Sequence, residues 1–128
     1  MRKKLNIGIL LLIGIITQSC DPTYPVSINN KTESELRIQA KKTLRFWSEN
    51  LNEIELPKKD WVEFKIEPNK SVKCGMTIGG LKNDLPFSEL LIITKTDTIK
   101  AENENQIMEL FDKTFFGNLE TPYVLTVE

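Results

Sequence analysis

Two thiols, Cys20 and Cys74, are the strongest nucleophiles in this 128-residue chain, and there is no histidine to activate either. That absence removes the commonest general base, the commonest metal ligand and every Ser–His or Cys–His pairing. Carboxylates are plentiful, 18 Asp and Glu in all, but they are scattered rather than paired. A hydrolase built on carboxylates therefore lacks a supporting motif. There is no Gly-rich phosphate loop and no thiol cluster, so no metal or other cofactor is expected. The remaining chemistry is that of the thiol, as an attachment point or as a small buried hydrophobe.

Cys20 has a distinctive setting. Arg2, Lys3 and Lys4 open the chain, and Ile7 to Ile16 follow as an unbroken apolar run relieved only by Gly8 and Gly14. The run is shorter than the roughly 20 residues needed to span a bilayer. A basic start, a short apolar core and small residues at its end are the parts of a secretory signal peptide. The run closes on Thr17-Gln18-Ser19-Cys20 and gives way to a polar Asp21-Pro22-Thr23. This stretch resembles the lipobox of bacterial lipoproteins in its relaxed form, with Ser19 before the cysteine and Thr17 where Leu is usual. The resemblance covers about the first 20 residues. It implies cleavage before Cys20, a diacylglycerol on the Cys20 sulfur, and residence in the cell envelope by a lipid anchor. Palmitate-type acyl chains and the outer membrane of a Gram-negative bacterium are what it suggests. Asp21 directly follows the cysteine, a position that in some bacteria retains lipoproteins at the inner membrane. Thr17 and Ser19 also fit ordinary secretory cleavage, which would release a soluble protein. In that case Cys20 and Cys74 could pair as a disulfide.

The expected organisation is a signal peptide over 1–19, a lipidated tether over 20–23 and one domain over 24–128. Removing the three basic residues at positions 2–4 from 17 Lys and Arg leaves 14 against 18 Asp and Glu, a net charge of −4. Charges of both signs are interspersed, so nucleic-acid binding has no basic patch to rest on.

Period-two alternation dominates the domain. Tyr24, Val26 and Ile28 share one strand face, and Leu36, Ile38 and Ala40 another, with turn chemistry at Asn29–Lys31 between them. Residues 41–60 are mixed. Leu44, Trp47, Leu51 and Ile54 keep helical spacing, but the reading preferred is a strand to about Trp47 and then an irregular connection. Val62, Phe64 and Ile66 alternate with Trp61, Glu63 and Lys65, and a tight turn follows at Pro68-Asn69. Val72, Cys74, Met76 and Ile78 are expected on one face, which makes Cys74 a packed and inert thiol. Leu90 to Ile93 read as a central strand, with a hairpin at Lys95–Asp97. A helix near residues 104–115 is expected, capped by Asn103 with Gln106 in a capping box and stopped at Gly117. Its inner face is Ile107, Leu110, Phe111 and Thr114. Tyr123, Leu125 and Val127 form a last strand. About seven short strands and one helix point to a small Ig-like or transthyretin-like β-sandwich, although the Cys…Trp…Cys spacing of antibody domains is absent.

Three surface features remain. Trp47 and Trp61 flank Lys58-Lys59-Asp60, and exposed aromatics can anchor partners, although packing in the sandwich core is the commoner role. Asp97-Thr98-Ile99 resembles a short motif that some Gram-negative lineages O-glycosylate on exported proteins, with Thr98 the acceptor. Asn30-Lys31-Thr32 and Asn69-Lys70-Ser71 match the N-glycosylation triplet but read as plain turns. The expected function is a membrane-anchored, non-catalytic binding or accessory module for an extracytoplasmic protein or glycan. A soluble inhibitor-like or adhesin-like module is the alternative.

Overall fold

The computed structural model describes residues 23–49, 51–78, 80–112 and 123–128. The expected signal segment 1–19, Cys20, Thr114 and Gly117 lie outside them. Eight strands, one α-helix and a single 3-10 turn at Leu81–Asn83 fall in the described residues: β1 (Tyr24–Asn30), β2 (Leu36–Lys42), β3 (Ile54–Glu55), β4 (Trp61–Ile66), β5 (Ser71–Thr77), β6 (Phe87–Ile93), β7 (Thr98–Ala101), α1 (Glu104–Asp112) and β8 (Tyr123–Val127). They form two sheets, β5-β1-β8 and β3-β4-β2-β6-β7. The fold is a small β-sandwich with one short helix.

The alternation read from the sequence explains most of it. Val26 and Ile28 from β1 face Leu36, Ile38 and Ala40 from β2 and Val62, Phe64 and Ile66 from β4, all buried. Their neighbours Arg37, Glu63 and Lys65 lie on the other face of the larger sheet. β6 sits between β2 and β7, the inner position expected for Leu90–Ile93. Leu90 and Ile92 are buried, whereas Leu91 and Ile93 are half-buried on the open face. The hairpin between β6 and β7 closes through Thr94 N–H to the Asp97 carbonyl at 2.8 Å. β8 runs parallel to β1, with Val26 opposite Tyr123 and Asn30 opposite Val127. Parallel neighbours need a crossover, and α1 lies in the connection leading to β8. Its buried Ile107 and Phe111 join the core.

The helix starts as expected. Gln106 N–H donates to the Asn103 side-chain oxygen at 3.0 Å, and the Gln106 side-chain oxygen accepts from Glu102 N–H at 2.7 Å. The reciprocal bond of the box therefore reaches one residue further back than the usual pattern.

Two expectations fail. The strand expected to run to Trp47 ends at Lys42, and residues 43–49 and 51–53 are irregular. Thr43 turns the chain away: its N–H donates to the Pro86 carbonyl at 3.0 Å and its hydroxyl to the Leu85 carbonyl at 2.6 Å. Leu44 is left fully exposed. The second failure lies in β5. The β1–β5 register pairs Val26 with Gly75 and then Ser27 with Lys73, so Cys74 is the extra residue of a β-bulge. One inserted residue reverses the phase of everything after it. Thr77 is buried while Met76 and Ile78 point out, contrary to the single face expected for Val72, Cys74, Met76 and Ile78.

Candidate functional site

The larger sheet has an incomplete edge. Lys42 N–H donates to the Asp60 carbonyl at 2.7 Å and Leu56 N–H to the Trp61 carbonyl at 2.9 Å. Those two bonds set the phase of β4: the even-numbered residues bond to β2, and the odd-numbered ones turn their N–H and C=O toward β3. β3 is only two residues long and pairs with Val62 and Glu63. Beyond it, the main-chain groups of Lys65 face a groove and, among the described residues, no strand.

That groove has a volume of about 560 Å³ and lies between β4, the 51–54 segment and the start of β5. The size is within the usual range for ligand pockets. Leu51, Phe64, Ile66 and Val72 supply its apolar lining. Glu35, Glu53, Glu63, Lys65, Glu67 and Lys70 place charges of both signs along its rim, and four of them are in ion pairs. Lys65 lies 3.7 Å from Glu35, Lys42 3.3 Å from Glu53, and Arg37 3.1 Å from Glu63, which also accepts from the Gln39 amide at 2.9 Å. An apolar trough beside an unpaired strand edge can take an extended segment as an added strand, its alternate side chains entering the trough.

The sequence-derived candidates do not gather there. Thr98 is the first residue of β7, at the far edge of the same sheet, and is exposed. Its N–H donates to the Asp97 carboxylate at 2.7 Å, and its hydroxyl makes no bond among the described residues. Cys74 is fully buried, with its thiol 3.4 Å from the Val26 carbonyl. Burial pushes the thiol far above its ordinary range, against a smaller opposing effect of a backbone hydrogen bond. Such a thiol is inert as a nucleophile.

Neither tryptophan joins the buried core. Trp61 falls on the outer face because Val62 and Phe64 take the inner one, and the Lys58 ammonium sits 5.6 Å from its ring centroid. Trp47 is 44% exposed and its N–H donates to the Cys74 carbonyl at 3.0 Å.

The two N-glycosylation triplets are structural. Asn69 occupies the β4–β5 turn at φ 61°, a left-handed conformation that Asn tolerates. Asn30 is fully buried, and both ends of its side-chain amide are engaged. Among the described residues, no group of three His, Cys, Asp or Glu is placed to hold a metal ion, and no helix is long and apolar enough to cross a membrane.

The groove was not legible in advance, because it arises where β3 stops and no motif marks that place. The Asn30 network had a signal that went unread, since Asn-x-Thr is a common seed for side-chain-closed turns.

Set against protein-family models, curated proteins and solved structures, the chain matches none of them. The functional reading therefore stands on its own residues.

Proposed function

We propose that this protein is a lipid-anchored, non-catalytic binding module displayed outside the inner membrane, held by acyl chains on Cys20. The observation that carries the reading is the position of Cys20. It lies directly after a basic-then-apolar leader and four residues before the first strand at Tyr24. A leader too short to remain as a membrane span needs a substitute anchor once it is removed. Two or three acyl chains on one residue supply it, at about 0.8 kcal/mol per buried methylene.

The binding face in this reading is the groove beside Lys65. Its partner is an extracytoplasmic protein that offers an extended segment. Thr98, exposed on the opposite edge, is the place where an O-linked glycan would sit clear of that face.

Membrane fractionation tests the anchor. Wild-type protein should sediment with membranes through high salt and alkaline carbonate and be released by detergent. Cys20→Ser should lose that behaviour, and a wild-type protein washed off by salt would defeat the reading. In-cell photocrosslinking tests the face. A photoreactive residue in place of Glu67 on the groove rim should capture a partner, and one in place of the exposed Glu104 on α1 should not. Equal capture at both positions would remove the groove from the proposal.

A further inference from the structure

Four of the five large hydrophobic side chains exposed among the described residues lie along one border of the smaller sheet: Leu44, Trp47, Met76 and Ile78. The chain from Thr43 to Trp47 runs beside the outer edge of β5. Trp47 N–H bonds to the Cys74 carbonyl at 3.0 Å, and a Cβ on Gly75 would lie 3.2 Å from the Arg45 carbonyl oxygen. Leu44 therefore projects next to the stretch where the bulge turns Met76 and Ile78 outward. Thr77 fixes the neighbouring loop: its hydroxyl donates to the Asp84 carboxylate at 2.8 Å and accepts from Gly80 N–H at 3.0 Å. Asp84 also lies 3.5 Å from Arg45, and Lys82 is exposed on the same loop.

This border is also where the chain enters the fold. Tyr24, the first residue of β1, is paired with Thr77. Only Asp21, Pro22 and Thr23 separate it from Cys20. Four residue steps reach at most about 14 Å, even fully extended. Whatever holds Cys20 must then lie against this end of the sandwich. A domain that merely hung from a tether would be expected to face it with polar side chains. Isoleucine, methionine and leucine stand there instead, with Arg45 and Lys82 beside them. The Tyr24 and Tyr123 rings meet edge-on at the same end, 6.3 Å between centroids. Half-buried tyrosines at the same end of a domain as exposed aliphatics are the composition of a membrane–water boundary.

We infer that Ile78, Met76 and Leu44 dock the domain onto the lipid surface in which Cys20 is anchored, entering the boundary between headgroups and acyl chains. The inference rests on the lipid-anchor reading and adds an orientation to it. Val72 lies at the other end of β5 and lines the groove, about 20 Å along the strand from Ile78. Docking by the Ile78 end therefore holds the groove away from the bilayer, open to a partner.

The test uses the full-length acylated protein, reconstituted in vesicles of phosphatidylethanolamine and phosphatidylglycerol. An environment-sensitive fluorophore is attached through Ile78→Cys or, at the opposite end of β5, through Lys70→Cys. Both side chains are exposed, so neither change threatens the fold. Cys74 is buried and the Cys20 sulfur is acylated, which leaves one reactive thiol in each variant. The label at 78 should lose quenching by aqueous iodide and gain quenching by nitroxide-bearing lipids, at a depth of about 5–10 Å. The label at 70 should do the reverse. Iodide reaching both positions equally would overturn the docking. So would a label at 78 shielded from both quenchers, because a protein partner or a second copy would then be covering it. The mass of the mature N-terminus, read on the same sample, separates the two claims. Acylated protein with position 78 in water defeats the docking alone, and protein without acyl chains defeats the anchor and the docking together.

Discussion

Asn30 in β1 and Ile66 in β4 belong to different sheets, and the Asn30 side-chain amide donates to the Ile66 carbonyl across a 2.9 Å bond. The same amide donates to Ser34 at 2.9 Å, and its oxygen accepts from the N–H and the hydroxyl of Thr32. The main chain of Asn30 adds bonds to Lys70 and Asn69 in the β4–β5 turn, and the N–H of the next residue, Lys31, donates to Val127. One buried residue thus ties together β1, β4 and two turns, and its neighbour Lys31 adds β8. Buried polar groups are stabilising only when every partner is satisfied, and here they are. Asn30→Ala should therefore cost about 3 kcal/mol, because the buried Ile66 carbonyl loses one donor and the Ser34 and Thr32 groups lose their partner at the same time. Asn69→Ala should cost only about 1 kcal/mol, the left-handed backbone penalty, and Asn69→Gly should cost nothing. Urea unfolding of the three variants checks the ranking, and equal losses for Asn30→Ala and Asn69→Ala would refute it.

The burial of Cys74 sets a dependence on pH. In the unfolded chain the thiol ionises around its ordinary value of 9.0, while in the folded chain burial keeps it protonated well above that. Below that pH both states hold the proton and no effect arises. Above it the unfolded state binds fewer protons than the folded one, so stability falls as pH rises, by about 1.4 kcal/mol per unit. Cys74→Ala should lack this component of the alkaline loss. Unfolding curves at pH 8 and pH 10 give the comparison, and parallel losses in both proteins would be the contrary result. A bulky maleimide should also fail to label the native thiol.

Gly75 has tight surroundings. A methyl group there would meet the Arg45 carbonyl at 3.2 Å and the Pro86 ring at 3.3 Å. Gly75→Val should cost about 2 kcal/mol through overpacking between the bulge and the 43–47 segment. A lowered thermal midpoint is the expected readout, and an unchanged one would mean that the segment moves aside freely.

The start of α1 depends on a side chain. Asn103→Ala removes the bond to Gln106 N–H and should cost about 1 kcal/mol. A helix whose amide protons exchange no faster in the variant would count against the cap.

The sandwich was readable because its strands are buried on one face, so Val26/Ile28, Leu36/Ile38 and Phe64/Ile66 each reveal their phase in a few residues. β5 misled for a physical reason. The sequence alternates cleanly through Ile78, but the register to β1 does not, and a bulge leaves no necessary mark on hydrophobic pattern. Thr77 is polar and buried because Asp84 receives its hydroxyl, a partner seven residues away that alternation cannot foresee. Residues 43–49 and 51–53 misled because their apolar side chains serve three separate purposes. Phe46 packs against Phe64 and Phe87, Leu51 lines the groove, and Leu44 points into solvent. The groove itself is a consequence of β3 being short, and strand length is the property that local pattern specifies least.

Cys20 decides whether the protein is anchored, and metabolic labelling with a fatty acid, read alongside the mass of the mature N-terminus, tests it most directly. The wild-type protein should incorporate label and begin at an acylated Cys20, and Cys20→Ser should incorporate none. An unlabelled wild-type protein beginning at a free Cys20, or cut elsewhere and released, would contradict the anchor and leave a soluble exported module in its place.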